Sequence, residues 1–385
     1  MMDKHVSLEQ RVLNFYSYFH LHPEISWNEH GTTEYLKNIL EGSGCRVETF
    51  EDCTGVVAEI GDGYPIVAIR ADIDALWQEV DGEFKANHSC GHDAHMAIVL
   101  GVMLKFIQKK FVGKIRFIFQ PAEEFGQGGL KMIEKGVLED VEYLFGLHLR
   151  PIDELKYGKA APSIQHGSTS SIVGKIIGPD LHGARPHLGK NAIEVATSLV
   201  NMLNTIHLDP AVPYSVKMTR LLAGGINSNI IPGKAEFSLD LRAQTNEVMK
   251  SLTDSTVHIL EKVKEIYQID MDYKINTYLP AATVNLTAQD FMQKAIINIL
   301  GSENLVTSVT TTGGDDFHFY ALNSPGLKST MLALGCDLQP GLHHEKMTFN
   351  LEALNKGVLI LENCVELALK SIERSEGIDK SKNRY

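Results

Sequence analysis

Residues 7–20 place Val12, Phe15, Tyr16 and Phe19 on one face at helical spacing, with Ser7 as a candidate N-cap. His22-Pro23 closes that helix, because the residue before a proline is steered out of the helical region. A second helix is predicted over 32–40, ended by Gly42 and Gly44. Strands follow near 45–50 and 56–60. Then comes Ile66-Val67-Ala68-Ile69, an unbroken apolar run that suits a strand buried on both faces. Residues 93–111 read as a helix with Met96, Val99, Leu100, Met103, Leu104 and Ile107 inward. A strand through Phe119, a helix over 129–137 and a strand through Leu147 complete a βαβαβ order. That order predicts a mainly parallel sheet covered by helices.

The pattern changes near Ser170. Strand 172–178, helix 192–206, strands 215–221 and 235–241, helix 248–266 and strand 271–276 follow in β-α-β-β-α-β order, the ferredoxin-like motif. From about Leu286 the first pattern resumes, with a helix over 291–300, a strand over 330–334 and a closing helix over 351–372. The fold class is therefore α/β. A three-layer αβα domain, residues 1–169 and 279–385, is interrupted by an inserted α+β domain, residues 170–278.

Composition narrows the function. The 385 residues are 44% hydrophobic and 22% charged, as in an ordinary globular protein. A formal net charge of −12 argues against a nucleic-acid partner, which needs a basic face. No apolar run reaches transmembrane length, and the start of the chain lacks a signal-peptide core. Five scattered cysteines fit reduced thiols better than a disulfide framework. The expectation is a cytoplasmic enzyme with no membrane partner.

Candidate chemistry gathers at the ends of the apolar runs. Cys90-Gly91-His92 brings together a thiol and an imidazole, donors that suit zinc and its first-row neighbours. Glu123-Glu124, His148 and His343 each follow an apolar run. Cys90, His92, Glu124, His148 and His343 are enough donors for a two-ion site, with Glu123 left as the carboxylate that takes a proton from water. Asp74 could orient a ligand histidine through its second N–H. Taken alone, Glu123-Glu124 reads better as a solvated acidic turn, and Asp72 and Asp74 could be loop caps.

The motifs Arg70-Ala71-Asp72-Ile73-Asp74-Ala75-Leu76, Cys90-Gly91-His92-Asp93-Ala94-His95 and Gln120-Pro121-Ala122-Glu123-Glu124 resemble, in order, the signatures of one family. That family is the dinuclear metal-dependent amidohydrolases of metallopeptidase clan MH. It includes hippurate hydrolase, N-acyl-amino-acid deacetylases and auxin-conjugate hydrolases. Phe19-His20-Leu21-His22-Pro23-Glu24, Gly146-Leu147-His148, His182-Gly183-Ala184-Arg185-Pro186-His187, Asn229-Ile230-Ile231-Pro232 and Leu342-His343 extend the likeness over nearly the whole chain.

The resemblance implies a metallopeptidase domain carrying an inserted lid and dimerisation domain. It implies two divalent ions, zinc first, with manganese, cobalt or nickel as alternatives, on Cys90, His92, Glu124, His148 and His343. Glu123 would be general base and acid. His182 would stabilise an oxyanion, in the family often across a dimer interface. Asn229 and Arg242 would clamp a substrate carboxylate. The implied partners are a small N-acyl amino acid and, as a homodimer through the lid, a second copy of the chain. A dipeptidase or carboxypeptidase with the same site, and an inactive metal- or amide-binding sensor, are the alternatives.

Three departures from the family pattern stand out. Trp77 occupies the usual proline position, before a shortened segment leading to Cys90. Asp315-Asp316-Phe317 replaces Glu-Asp-Phe. Ser238-Leu239-Asp240-Leu241-Arg242 replaces the usual lid strand, and for Arg242 a strand-end ion pair is the plain structural alternative.

Overall fold

The computed structural model describes residues 6–382, with side chains described to residue 371 in the closing helix. The chain divides into two compact units. The first takes in the chain to Gln165, Thr283–Val309 and the chain from Asp316 onward. The second is His166–Ala282 with Thr310–Asp315.

The first unit is built on a seven-stranded sheet. Its order is Arg46–Thr49, Val56–Asp62, Gly113–Gln120, Ile66–Asp72, Val141–Pro151, Lys328–Leu338 and Ala160–Ala161. The four strands at its centre run parallel, and the flanking pairs are antiparallel. Every residue of Ile66–Asp72 is buried, as its unbroken apolar run requires of a central strand. The helices Leu8–Leu21, His92–Phe106, Leu286–Leu300 and Glu352–Lys382 supply apolar faces to the larger of two cores around this sheet. Phe19, Val99, Phe117, Phe145, Leu332 and Leu361 are among its fully buried members.

Ser7 caps the first helix, its side chain accepting the Gln10 amide. Several helix ends differ from their predicted positions, among them the start of Leu286–Leu300, expected at 291, and the end of Ala192–Leu203, expected at 206. The helix starting at His92 ends at Phe106 rather than 111, because Lys109 turns back to bond the Phe106 carbonyl and Gly113, at φ 94°, enters the next strand. The following helix, Gly128–Glu134, stops short of 137 as Gly136 takes φ 75°. A hairpin of Leu76–Val80 and Glu83–Asn87 was not predicted. Its charged, alternating sequence carries no apolar run.

The second unit holds a four-stranded antiparallel sheet in the order Tyr214–Ala223, Ala235–Ala243, Ser168–Ile177, Asp270–Leu279. That order is what β-α-β-β-α-β connectivity produces when the third strand inserts between the first two. Ser168–Ile177 and Ala235–Ala243 alternate buried residues with half-buried ones along most of their length. Their buried residues meet the Ala192–Leu203 and Asn246–Tyr267 helices in a core that includes Ile172, Leu199, Phe237, Leu239 and Leu260. Among the described residues no helix is long and apolar enough to cross a membrane.

Candidate metal centre

Cys90 and His92 flank Gly91, which caps the following helix at φ 91°. A side chain here would be strained at that φ and would press on Leu149 at 3.3 Å. The turn lets a thiol and an imidazole separated by one residue face a common point. Cys90 Sγ, a ring nitrogen of His92 and a carboxylate oxygen of Glu124 lie within 4.8 Å of one another. His343 Nε2 is 3.2 Å from Glu124 Oε1, and the rings of His92 and His148 are 6.3 Å apart. The five expected ligands therefore share one region of the first unit, and Glu123 Oε2 stands 3.7 Å from His92 Nε2.

Backbone bonding decides which ring nitrogens face that region. His92 Nδ1 is 2.9 Å from the Asp74 carbonyl, and His148 Nδ1 is 2.7 Å from the Leu149 carbonyl. Each ring donates through Nδ1, which leaves Nε2 as the nitrogen that would bind metal. His95 differs. Its Nδ1 donates to Asp72 at 2.7 Å and its Nε2 accepts the Leu149 amide at 3.1 Å. Although Asp72, His92 and His95 also cluster within 4.8 Å, both nitrogens of His95 are engaged, and this ring orients neighbours rather than binding metal.

The turn carrying Glu123 and Glu124 is held by two buried carboxylates. Asp74 accepts the amides of Glu123 and Glu124 at 3.1 and 3.0 Å and the Ser26 hydroxyl at 2.6 Å. Glu29 accepts the amide of Ala122 at 2.9 Å and the Thr54 hydroxyl at 2.6 Å. Three successive N–H groups are thereby satisfied around Ala122, which sits at φ 51°. Asp74 was expected to orient a ligand histidine. Its carbonyl does so for His92, with its carboxylate 3.3 Å from the same nitrogen, while the carboxylate's shorter bonds go to the turn.

Behind the site, the fully buried Arg70 donates to Asp72 at 2.6 Å, Asp316 at 2.8 Å and Gln120 at 2.9 Å. Tyr320 and Gly129 complete this network through Gln120 and Asp316. It links the ends of neighbouring strands that bear the site.

Electrostatics follow from burial. Burial alone would raise the Asp72 carboxyl, but His92, Arg70 and His95 hold it well below the usual range. Burial would lower His92, yet Asp72, Cys90 and Asp74 raise it well above its ordinary value. His148, buried beside His95 and Arg150, is pushed well down and so is held neutral. Burial pushes the Cys90 thiol up to about 12, so a bound cation is what would make it a thiolate ligand. Burial raises Glu29 to about 7.

The donor set fits divalent metal. It combines one thiol, three imidazoles and a carboxylate, types that zinc and its neighbours take. In the buried pocket Glu124 Oε1 lacks a well-aligned hydrogen-bond donor, and its close neighbour is His343 Nε2. Glu124 raises His343 above its ordinary value, and either a proton on that ring or a cation would fit between the two atoms.

The remaining expected site residues belong to the second unit. His182 and Asn229 are neighbours there. His182 pairs with Ile230 in a short antiparallel ladder, and the Asn229 carbonyl accepts the Gly183 amide at 2.7 Å. His182 Nδ1 accepts the Ala184 amide at 3.1 Å. Arg242 is half exposed and ion-paired with Asp240 at 3.0 Å, the strand-end pair named above as the structural alternative. Asp315 lies in the second unit and Asp316 in the first. Sequence reasoning missed Glu29, Ser26 and the Leu76–Val80/Glu83–Asn87 hairpin. The carboxylate of Asn28-Glu29-His30, just before a helix, was the available signal for Glu29.

Known proteins resemble this chain over most of its length. The chain is 30% identical to N-acetylcysteine deacetylase of Bacillus subtilis, over 97% of this chain and 100% of that one. It is 31% identical to thermostable carboxypeptidase 1 of Saccharolobus solfataricus, over 83% of this chain and 85% of that one. Among solved structures, a Bacillus subtilis dinuclear metal-binding peptidase of the M20 family superimposes with a TM-score of 0.80 at 28% identity, over 94% of this chain and 98% of that one. The family model of Peptidase family M20/M25/M40 matches residues 68–367. With that model matched over most of its length, the chain belongs to the M20/M25/M40 peptidase family.

Proposed function

We propose that this metal-dependent amide hydrolase cleaves N-acyl amino acids to a carboxylic acid and a free amino acid. The observation that carries the reading is the Glu123 carboxylate, 3.7 Å from His92 Nε2, beside the cluster of Cys90, His92 and Glu124, with His343 and His148 near it. Two divalent ions on Cys90, His92, Glu124, His148 and His343 would polarise the scissile carbonyl and lower the pKa of a water.

The protein's own groups do the rest. Glu123 takes the proton of the attacking water on its carboxylate and returns it to the leaving nitrogen. The Asp74 and Glu29 carboxylates fix the turn, so Glu123 moves a proton without moving its backbone. His182 donates to the developing oxyanion, a contribution of roughly 3 kcal/mol for such donors. Asn229 and Arg242 receive the substrate's free carboxylate.

The thiol in the donor set favours zinc, with manganese, cobalt and nickel compatible. A homodimer through the second unit, and a cytoplasmic setting, complete the reading. The chain's likeness to a protein named carboxypeptidase supports a second reading, in which the acyl group is itself an aminoacyl residue.

Turnover of N-acetyl and N-benzoyl amino acids against dipeptides, with metal measured on the same sample, tests this. Chelator-sensitive release of amino acid from acyl substrates, with about two ions per chain, is expected. Preference for dipeptides favours the second reading, and bound metal without turnover of any amide contradicts both.

A further inference from the structure

Four of the five metal-binding candidates stand on a buried strand end, a helix start or the turn braced by Asp74. His343 does not. It lies on the loop after the Lys328–Leu338 strand, at φ 65°, with its side chain 57% exposed. Packing therefore does little to fix this ring.

The loop is held instead by the short hairpin between Asp74 and Cys90. His343 N donates to the Ser89 carbonyl at 2.7 Å, and Gln78 Nε2 reaches the His343 carbonyl at 3.5 Å. Ser89 Oγ donates to Gln78 Oε1, which turns the amide nitrogen of Gln78 toward His343. Asn87 Nδ2 donates to the Glu345 carbonyl at 3.1 Å. At the hairpin turn, the Asp81 amide donates to Glu345 at 3.3 Å and Lys346 pairs with the Asp81 carboxylate at 3.1 Å. Both strands and the turn thus grip one loop. Trp77 and Phe84, on the opposite face of the hairpin from Gln78, take no part in these bonds and are 61% and 63% exposed.

We infer that Gln78 and Asn87 are positioning residues that place His343 as a metal ligand, so that the hairpin governs retention of the ion His343 holds. This rests on the reading of His343 as a ligand. Bonds that orient a ligand from behind typically change metal affinity about 10–100-fold when removed.

The test is a cobalt(II) titration of the full, chelator-stripped chain, reading total bound cobalt and the cysteine-thiolate charge-transfer band that reports the ion on Cys90. For the double variant Gln78→Ala/Asn87→Ala, one ion is expected to bind as in the unaltered chain. The ion His343 holds is expected to bind about 10–100-fold more weakly. His343→Ala should lose that ion outright, and Phe84→Ser, on the outer face, should keep both. If the double variant lacks a cooperative melt, Asn87→Ala alone is read the same way, with a smaller loss expected. Unchanged affinity for that ion in either variant overturns the inference. So does loss of both ions in a folded variant. If His343→Ala itself keeps both ions at full affinity, His343 is no ligand, and the functional reading of that residue falls along with the inference.

Discussion

The buried carboxylate of Glu29 accepts the backbone amide of Ala122 at 2.9 Å. This single bond ties the N-terminal segment to the turn that bears Glu123 and Glu124. Burial raises Glu29 to about 7, so in metal-free protein it titrates across the neutral range. The folded value lies above the unfolded one, so its stabilising contribution is complete below about pH 4.5 and is lost as pH rises through about 7. Glu29→Gln cannot ionise. Relative to it, the unaltered apo protein should lose on the order of 3 kcal/mol between those limits. Urea unfolding at pH 5 and pH 8 checks this, and a stability difference that does not change with pH contradicts it.

Asp74 satisfies two amides of the same turn and the Ser26 hydroxyl from a fully buried position. Asp74→Ala should destabilise the chain by about 3 kcal/mol or more, since each stranded buried group costs about 1–3 kcal/mol. Chemical denaturation measures the loss. A change under about 1 kcal/mol would mean that water replaces the carboxylate.

Gly128 leaves no room for a side chain, because a Cβ there would lie 1.6 Å from the Pro121 carbonyl oxygen. Gly128→Ala must displace the backbone just before Ala122. Hydrolysis should fall at least about tenfold, with a stability cost of about 1–3 kcal/mol from overpacking. Parallel assays of turnover and melting test this, and full activity in the variant rules out the constraint.

Arg70 is wholly buried against Asp72, Asp316 and Gln120. Arg70→Met removes the cation paired with two buried carboxylates, and breaking such a buried pair costs about 3–5 kcal/mol. Adding Asp316→Asn should recover part of that loss. A double-variant cycle in which the two changes simply add contradicts the coupling.

Much of this was legible in the sequence because burial and periodicity were strong where the fold is central. The apolar run at Ile66–Ile69 read directly as a strand, and the strand expected over 172–178 falls largely within Ser168–Ile177. Cys90, His92, Glu124, His148 and His343 stood out because metal-type residues recurred at the ends of apolar runs. What stayed hidden depends on long-range bonding between polar groups. Glu29 meets Ala122 across 93 positions, and Asn87 meets Glu345 across 258, separations that no local pattern encodes. The Leu76–Val80/Glu83–Asn87 hairpin is half exposed and charged, so it lacks the apolar signature of a strand.

The most direct test of the central claim is Glu123→Gln, with hydrolysis of an N-acyl amino acid and metal content measured on the same preparation. Glutamine keeps the shape and the backbone bond to Asp74 but cannot take a proton. The predicted result is a loss of turnover of about 10²–10⁴-fold with metal content equal to that of the unaltered protein. Turnover that survives the substitution, or that disappears only because the metal is lost, would contradict the role of Glu123 as the group that moves the proton.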